Sequence, residues 1–162
     1  MVLEGWSEFF VATAGASAAL AGLIIVAMSV NVELMITIPG MTSRAASAIA
    51  LLVLSTVASL VGLIPHQGIV ALGIEVGLLG LGGLGFTIDS MVKVLRARGE
   101  RPLYESLTKT LVEIIPALAF VVAGVLLALG IGAGAFVLAF GAVAAIMVAV
   151  LNAWVVLVEI RR

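Results

Sequence analysis

The chain has 162 residues, 64% of them hydrophobic and 10% charged, with a net charge of −1 and a mean hydropathy of +1.36. Soluble domains are roughly a quarter charged, so a water-exposed globule cannot hide this much apolar surface and the bilayer has to be the solvent. Cysteine is absent, which excludes disulfides, thiolate metal sites and cysteine nucleophiles, and the charge balance gives no sign of a nucleic-acid partner.

Residues 1–8 hold Glu4 and Glu8 but no Lys or Arg, and the apolar run after them exceeds the roughly 7–15 residues of a signal-peptide core. The first helix is therefore expected to stay in the mature protein. It is predicted over 8–33, with no charge between Glu8 and Glu33. At about 1.5 Å per residue, that length crosses a hydrocarbon core roughly 30 Å thick. Steps of three and four residues place Glu8, Ala12, Gly15, Ala19, Gly22, Val26, Ser29 and Glu33 on one face, with Leu20, Leu23 and Ile24 off it. A narrow, faintly polar face with a carboxylate at each end belongs against other helices or around a shared axis.

Ile38-Pro39-Gly40-Met41 signals a turn, and a second helix is expected over 43–64. Pro65-His66-Gln67-Gly68 links it to a third over 69–92, which carries Glu75 near its start and Asp89 near its end. Residues 93–107 form the expected basic loop. No charge occurs from Ile114 to Val158, about twice the length of one crossing, so the chain must turn within it. Gly130-Ile131-Gly132-Ala133-Gly134 has the backbone freedom to do so, which predicts helices over 108–129 and 134–158. Pro116 then falls near the start of its helix, where a missing donor matters least. The expectation is one all-α integral membrane domain over 1–162, a bundle of five transmembrane helices.

The eight basic residues test that count. Five crossings put Arg44, Lys93, Arg96, Arg98, Arg101, Lys109, Arg161 and Arg162 on one side. By the positive-inside bias that side is the cytoplasm, with the N-terminus outside and the C-terminus inside. The Arg-rich 93–107 segment would attract anionic lipid headgroups or dock a membrane-protein partner, although positive-inside sorting alone explains it.

Gly80, Gly82 and Gly85 satisfy G-x-G-x-x-G, but within an apolar membrane segment seven glycines from Gly68 to Gly85 are better read as close helix contact than as a nucleotide turn. Glu75 is costly in a membrane helix. It belongs either to cation or proton passage or to a hydrogen bond with His66 or Gln67. Around an oligomer axis, Glu8 and Glu33 would form carboxylate rings that concentrate cations, with Gly15, Gly22, Val26 and Ser29 between them. The plainer account packs that face on the protein's own helices. Glu113 follows Lys109 by four positions and is expected to pair with it. Asn152 is expected to make an interhelical hydrogen bond and Trp154 to anchor at an interface. His66 is the single histidine, and no Ser/His/Asp set, metal-ligand cluster or cofactor motif occurs. Nothing points to an enzyme.

Trp6-x-x-Phe9-Phe10, Gly15-Ala16-x-Ala18-Ala19-Leu20-x-Gly22-Leu23, Val26-Ala27-Met28-Ser29, Arg44-Ala45, Pro65-x-Gln67, Gly73-x-Glu75 and Asn152-Ala153-Trp154-Val155-Val156-Leu157-Val158-Glu159-Ile160 resemble a family of small multipass actinobacterial proteins, some labelled modulators of the FtsH membrane protease. That resemblance implies a stand-alone protein of the bacterial inner membrane. Ser17-Ala18-x-Leu20-x-Gly22-x-x-x-Val26-Ala27-Met28-x-Val30 is faintly similar to the pore helix of Orai calcium channels, whose selectivity glutamate is replaced here by Val30. The leading expectation is an oligomer with a cation or proton path lined by the first helix, with Glu75 behind it. The rival is a non-conducting scaffold or regulator acting through the basic loop.

Overall fold

The computed structural model describes residues 5–38, 41–97 and 103–159, with side chains described outside 94–111 and 159. All regular structure among them is helical: α1 (Ser7–Val30), α2 (Val32–Thr37), α3 (Met41–Gly62), α4 (Ile69–Ala97), α5 (Leu103–Ala128) and α6 (Gly134–Glu159). α1, α3, α4 and α6 each contain a stretch long and apolar enough to cross a bilayer, and α5 carries a shorter apolar stretch, Val112–Ala128. This is the make-up of an all-helical membrane protein.

Three boundaries differ from expectation. The first helix does not run unbroken to Glu33. At Asn31 the backbone leaves helical geometry, its Nδ2 donates to Ala27 O at 2.8 Å, and α2 begins after it. An asparagine side chain that bonds nearby backbone competes with helix continuation. The expected loop over 93–107 is mostly helix, because α4 continues to Ala97 and α5 starts at Leu103; Arg98 and Arg101 lie outside the described residues. Pro116, expected near a helix start, lies inside α5 and is fully buried. Such a proline is tolerated in a membrane helix where neighbouring helices cover the freed carbonyl.

α3, α4, α5 and α6 form a ring in that order, closed by α6 against α3, and α1 packs outside it on α3 with a minor contact to α6. Phe10, Leu52, Leu72, Val76, Phe120, Leu127, Leu138 and Val156 fill the interior. In a lipid solvent apolar burial supplies little drive between helices, so close backbone packing and interhelical hydrogen bonds matter more. Both are present. A Cβ added at Gly73 would lie 2.1 Å from Ala128 N, and one at Gly124 would lie 2.4 Å from Gly77 Cα. α4 and α5 thus meet backbone to backbone, as the glycine-rich stretch leads one to expect. Ser17 Oγ meets Thr56 Oγ1 at 2.8 Å between α1 and α3, and Ser47 Oγ meets Ser90 Oγ at 2.8 Å between α3 and α4.

The turn between α5 and α6 falls where the glycines predict it. Gly130 takes φ +77°, its N–H bonds Leu127 O at 2.9 Å, and the Ile131 N–H bonds Leu126 O at 2.9 Å. This is a Schellman cap, with glycine in the one left-handed position.

Two ends of the bundle follow. At the aromatic end, Trp6 stands edge-on to Phe136 with ring centroids 4.9 Å apart, and Phe10 covers Gly62. The starts of α1 and α6 and the end of α3 therefore lie together. Arg44, near the start of α3, and Lys93, near the end of α4, belong to the opposite end.

Candidate functional site

α1 is held to the bundle by one side only. Phe10, Thr13, Ala14, Ser17, Ala21, Ile24 and Met28 are buried, and at 100° per residue they cluster on the side opposite the small face. Glu8, Ala12, Gly15, Ala19, Gly22, Val26 and Ser29 are all exposed, Val26 at 63%. A Cβ added at Gly15 or Gly22 would meet nothing within 4 Å. The account in which this face packs on the protein's own helices is therefore corrected: the chain leaves it uncovered.

The two terminal carboxylates are not equivalent. Glu8 lies in the first turn of α1, whereas Glu33 lies in the first turn of α2, beyond the break at Asn31. Both are exposed. Ser29 Oγ donates to Ile25 O at 2.8 Å, so its hydrogen is used within the helix and its lone pairs face outward.

Glu75 does not stand behind α1. It belongs to α4, which makes no close approach to α1 among the described residues. It accepts a hydrogen bond from Gln67 Nε2, one of the two partners expected for it. His66, exposed in the same link, takes φ +60°, a left-handed conformation in which histidine is enriched among non-glycine residues.

Of the basic residues, Lys93 pairs with Asp89 at 2.6 Å, one turn back on α4 and with both side chains exposed. An exposed pair of this kind contributes about 0.3–0.5 kcal/mol. Arg96 lies in the last turns of α4, and its side chain is outside the described set, as are Arg98 and Arg101 altogether.

The polar centre that the sequence did not reveal is Glu113. It is 5% exposed and accepts from Asn152 Nδ2 at 2.7 Å, joining α5 to α6. Ser47 and the charge of Arg44, both on α3, also bear on this carboxylate. Ser47 in turn meets Ser90 of α4, whose Oγ also reaches Ser43 O at 3.2 Å. Groups from α3 and α6 thus meet the buried acid of α5, and Ser47 links it onward to Ser90 of α4. The side chain of Lys109, the partner expected for Glu113 four positions back, lies outside the described residues; the signal in the sequence that points to this site is Asn152, the one amide of the last helix. Among the described residues no three His, Asp or Glu side chains gather as metal ligands.

Compared with known protein families, curated proteins and solved structures, the chain matches none.

Proposed function

We propose that the protein is a homo-oligomer of the bacterial plasma membrane whose subunits face one another across α1, around a path for cations or protons. One observation carries this reading. The face formed by Glu8, Ala12, Gly15, Ala19, Gly22, Val26 and Ser29 is left uncovered while the opposite side of α1 is buried. Small residues lose little by leaving lipid, and they allow two backbones to approach closely, which is how this chain uses Gly73, Gly77 and Gly124 between α4 and α5. Around an axis, Glu8 would ring one mouth and Glu33, offset by Asn31, the other, each raising local cation concentration. Between them Val26 narrows an apolar stretch that closes by dewetting.

In this reading the chain crosses five times, with α5 as the fifth crossing. The N-terminus lies outside, and Arg44 and Lys93 lie on the cytoplasmic side, in keeping with the positive-inside bias. Purified protein in liposomes should pass cations, and Glu8→Gln with Glu33→Gln should reduce cation preference over anions. Absence of flux across pH, voltage and lipid composition, from protein that remains oligomeric, would remove conduction and leave a scaffold or regulator acting through its basic segment.

A further inference from the structure

Among the described residues, Glu113 is the one charged side chain that the bundle buries. The face of α1 makes no use of it, since α1 and α5 do not touch among those residues. An acid inside a membrane bundle is costly to keep. A permanently ionised one is best served by a guanidinium or ammonium whose donors close directly on its oxygens. Here the direct partners among the described residues are neutral. Asn152 Nδ2 donates at 2.7 Å and the Ser47 hydroxyl reaches the same carboxylate, while Arg44 acts through its charge. An amide and a hydroxyl share a property that a cation lacks: each can donate to a carboxylate and, turned over, accept from a carboxylic acid. Both protonation states of Glu113 can therefore be hydrogen-bonded by the side chains already beside it.

The hydroxyls behind the acid are ordered as a relay. Ser47 Oγ lies 2.8 Å from Ser90 Oγ, and the Ser43 carbonyl accepts from the first at 3.1 Å and from the second at 3.2 Å. Two hydroxyl hydrogens face more acceptors than they can serve at once, so the same heavy atoms allow several arrangements of those hydrogens. Ser43 and Arg44, in the first turn of α3, are only partly buried, which brings the network to the edge of the bundle. Of the described charges on the helices around the acid, Arg44 of α3 bears on it. Asp89 and Lys93 of α4 are exposed and engage each other, and α6 has no charge from Gly134 to Val158.

We propose that Glu113 is a reversible proton-binding site, filled and emptied from the Arg44 end of the bundle through the hydroxyls of Ser90 and Ser47. On uptake Glu113 takes the hydrogen of Ser47, Ser47 takes that of Ser90, and Ser90 takes one from a hydronium ion, which leaves as water. Each hydroxyl gives one hydrogen and receives one, so the net change is one proton on the carboxylate. Release runs the same steps backward. The site is built from α3, α4, α5 and α6, and it depends neither on the uncovered face of α1 nor on conduction.

Infrared difference spectroscopy of the purified protein in lipid, titrated over the pH range in which circular dichroism shows the fold intact, tests it. The expected result is a carboxylic C=O band that comes and goes reversibly with pH, is lost in Glu113→Gln and changes frequency in Asn152→Leu. Glu113→Asp, which keeps an acid at shorter reach, should shift the band and makes the assignment if the glutamine variant does not fold. After a rapid pH jump, Ser47→Ala combined with Ser90→Ala should slow the appearance of the band by about tenfold or more, the effect of losing one hydrogen bond to a charged group. A carboxyl signal that no substitution of Glu113 alters at any pH would overturn the proposal and leave that residue a fixed structural group. An unchanged rate in the double serine variant would equally overturn the relay. So would a band set by sodium concentration rather than by pH, since the oxygens would then hold a metal ion.

Discussion

Asn152 Nδ2 donates to Glu113 Oε1 at 2.7 Å, so the one amide of the last helix holds a carboxylate that is 5% exposed. Taking away one partner of a buried polar pair leaves the other unsatisfied, at about 1–3 kcal/mol and more when it is charged. Asn152→Leu should therefore destabilise the detergent-solubilised protein by at least about 1 kcal/mol. Adding Glu113→Gln to Asn152→Leu should recover part of that loss, because a neutral amide is less costly to bury. Chemical unfolding monitored by circular dichroism measures both. Equal stability of wild type and Asn152→Leu would mean that Ser47 and Arg44 satisfy the carboxylate without the amide.

Two glycines of α4 should respond in opposite ways to the same added methyl. At Gly73 a Cβ falls 2.1 Å from Ala128 N, where only backbone movement makes room, whereas at Gly82 it meets nothing within 4 Å. Gly73→Ala should separate α4 from α5 and lower stability by about 2 kcal/mol or more, within the range seen for overpacking. Gly82→Ala should be neutral or slightly stabilising, since alanine is the better helix former by about 1 kcal/mol. Paired unfolding curves decide it.

Gly130→Ala should cost about 1 kcal/mol without altering any side-chain contact, because the loss comes from forcing φ +77° on an L-residue. Gly130→Asn should cost less, as asparagine tolerates the left-handed region better than alanine. A larger loss for Asn than for Ala would contradict the Schellman assignment.

The spans are readable in the sequence because hydropathy and length are properties of each segment taken alone. The glycines locate the turn at Gly130 and the close contact between α4 and α5, although Gly82 and Gly85 of the G-x-G-x-x-G stretch point away from that contact. Periodicity groups the small face of α1 correctly, but it cannot say which side of a helix its neighbours occupy. That depends on where α3 lies, and here Phe10, Ser17 and Ile24 take the packed side. The break at Asn31 is hidden because one asparagine at a helix end looks the same whether it caps or merely decorates. Glu113 is hidden for a related reason. An i, i+4 partner is visible within its own helix, whereas Asn152 and Ser47 reach it from two others.

The account turns on the uncovered face of α1, and cysteine cross-linking addresses it most directly because the native chain contains no cysteine. Gly15→Cys and Gly22→Cys each place a thiol where nothing lies within 4 Å, and Val122→Cys on α5, exposed at 48%, serves as the comparison. The account predicts that mild oxidation in native membranes joins the subunits of either α1 variant through the introduced thiol and leaves those of the α5 variant unjoined. Failure of both α1 variants to cross-link, while a lipid-borne maleimide labels them as readily as Val122→Cys, would place that face among acyl chains and contradict the account.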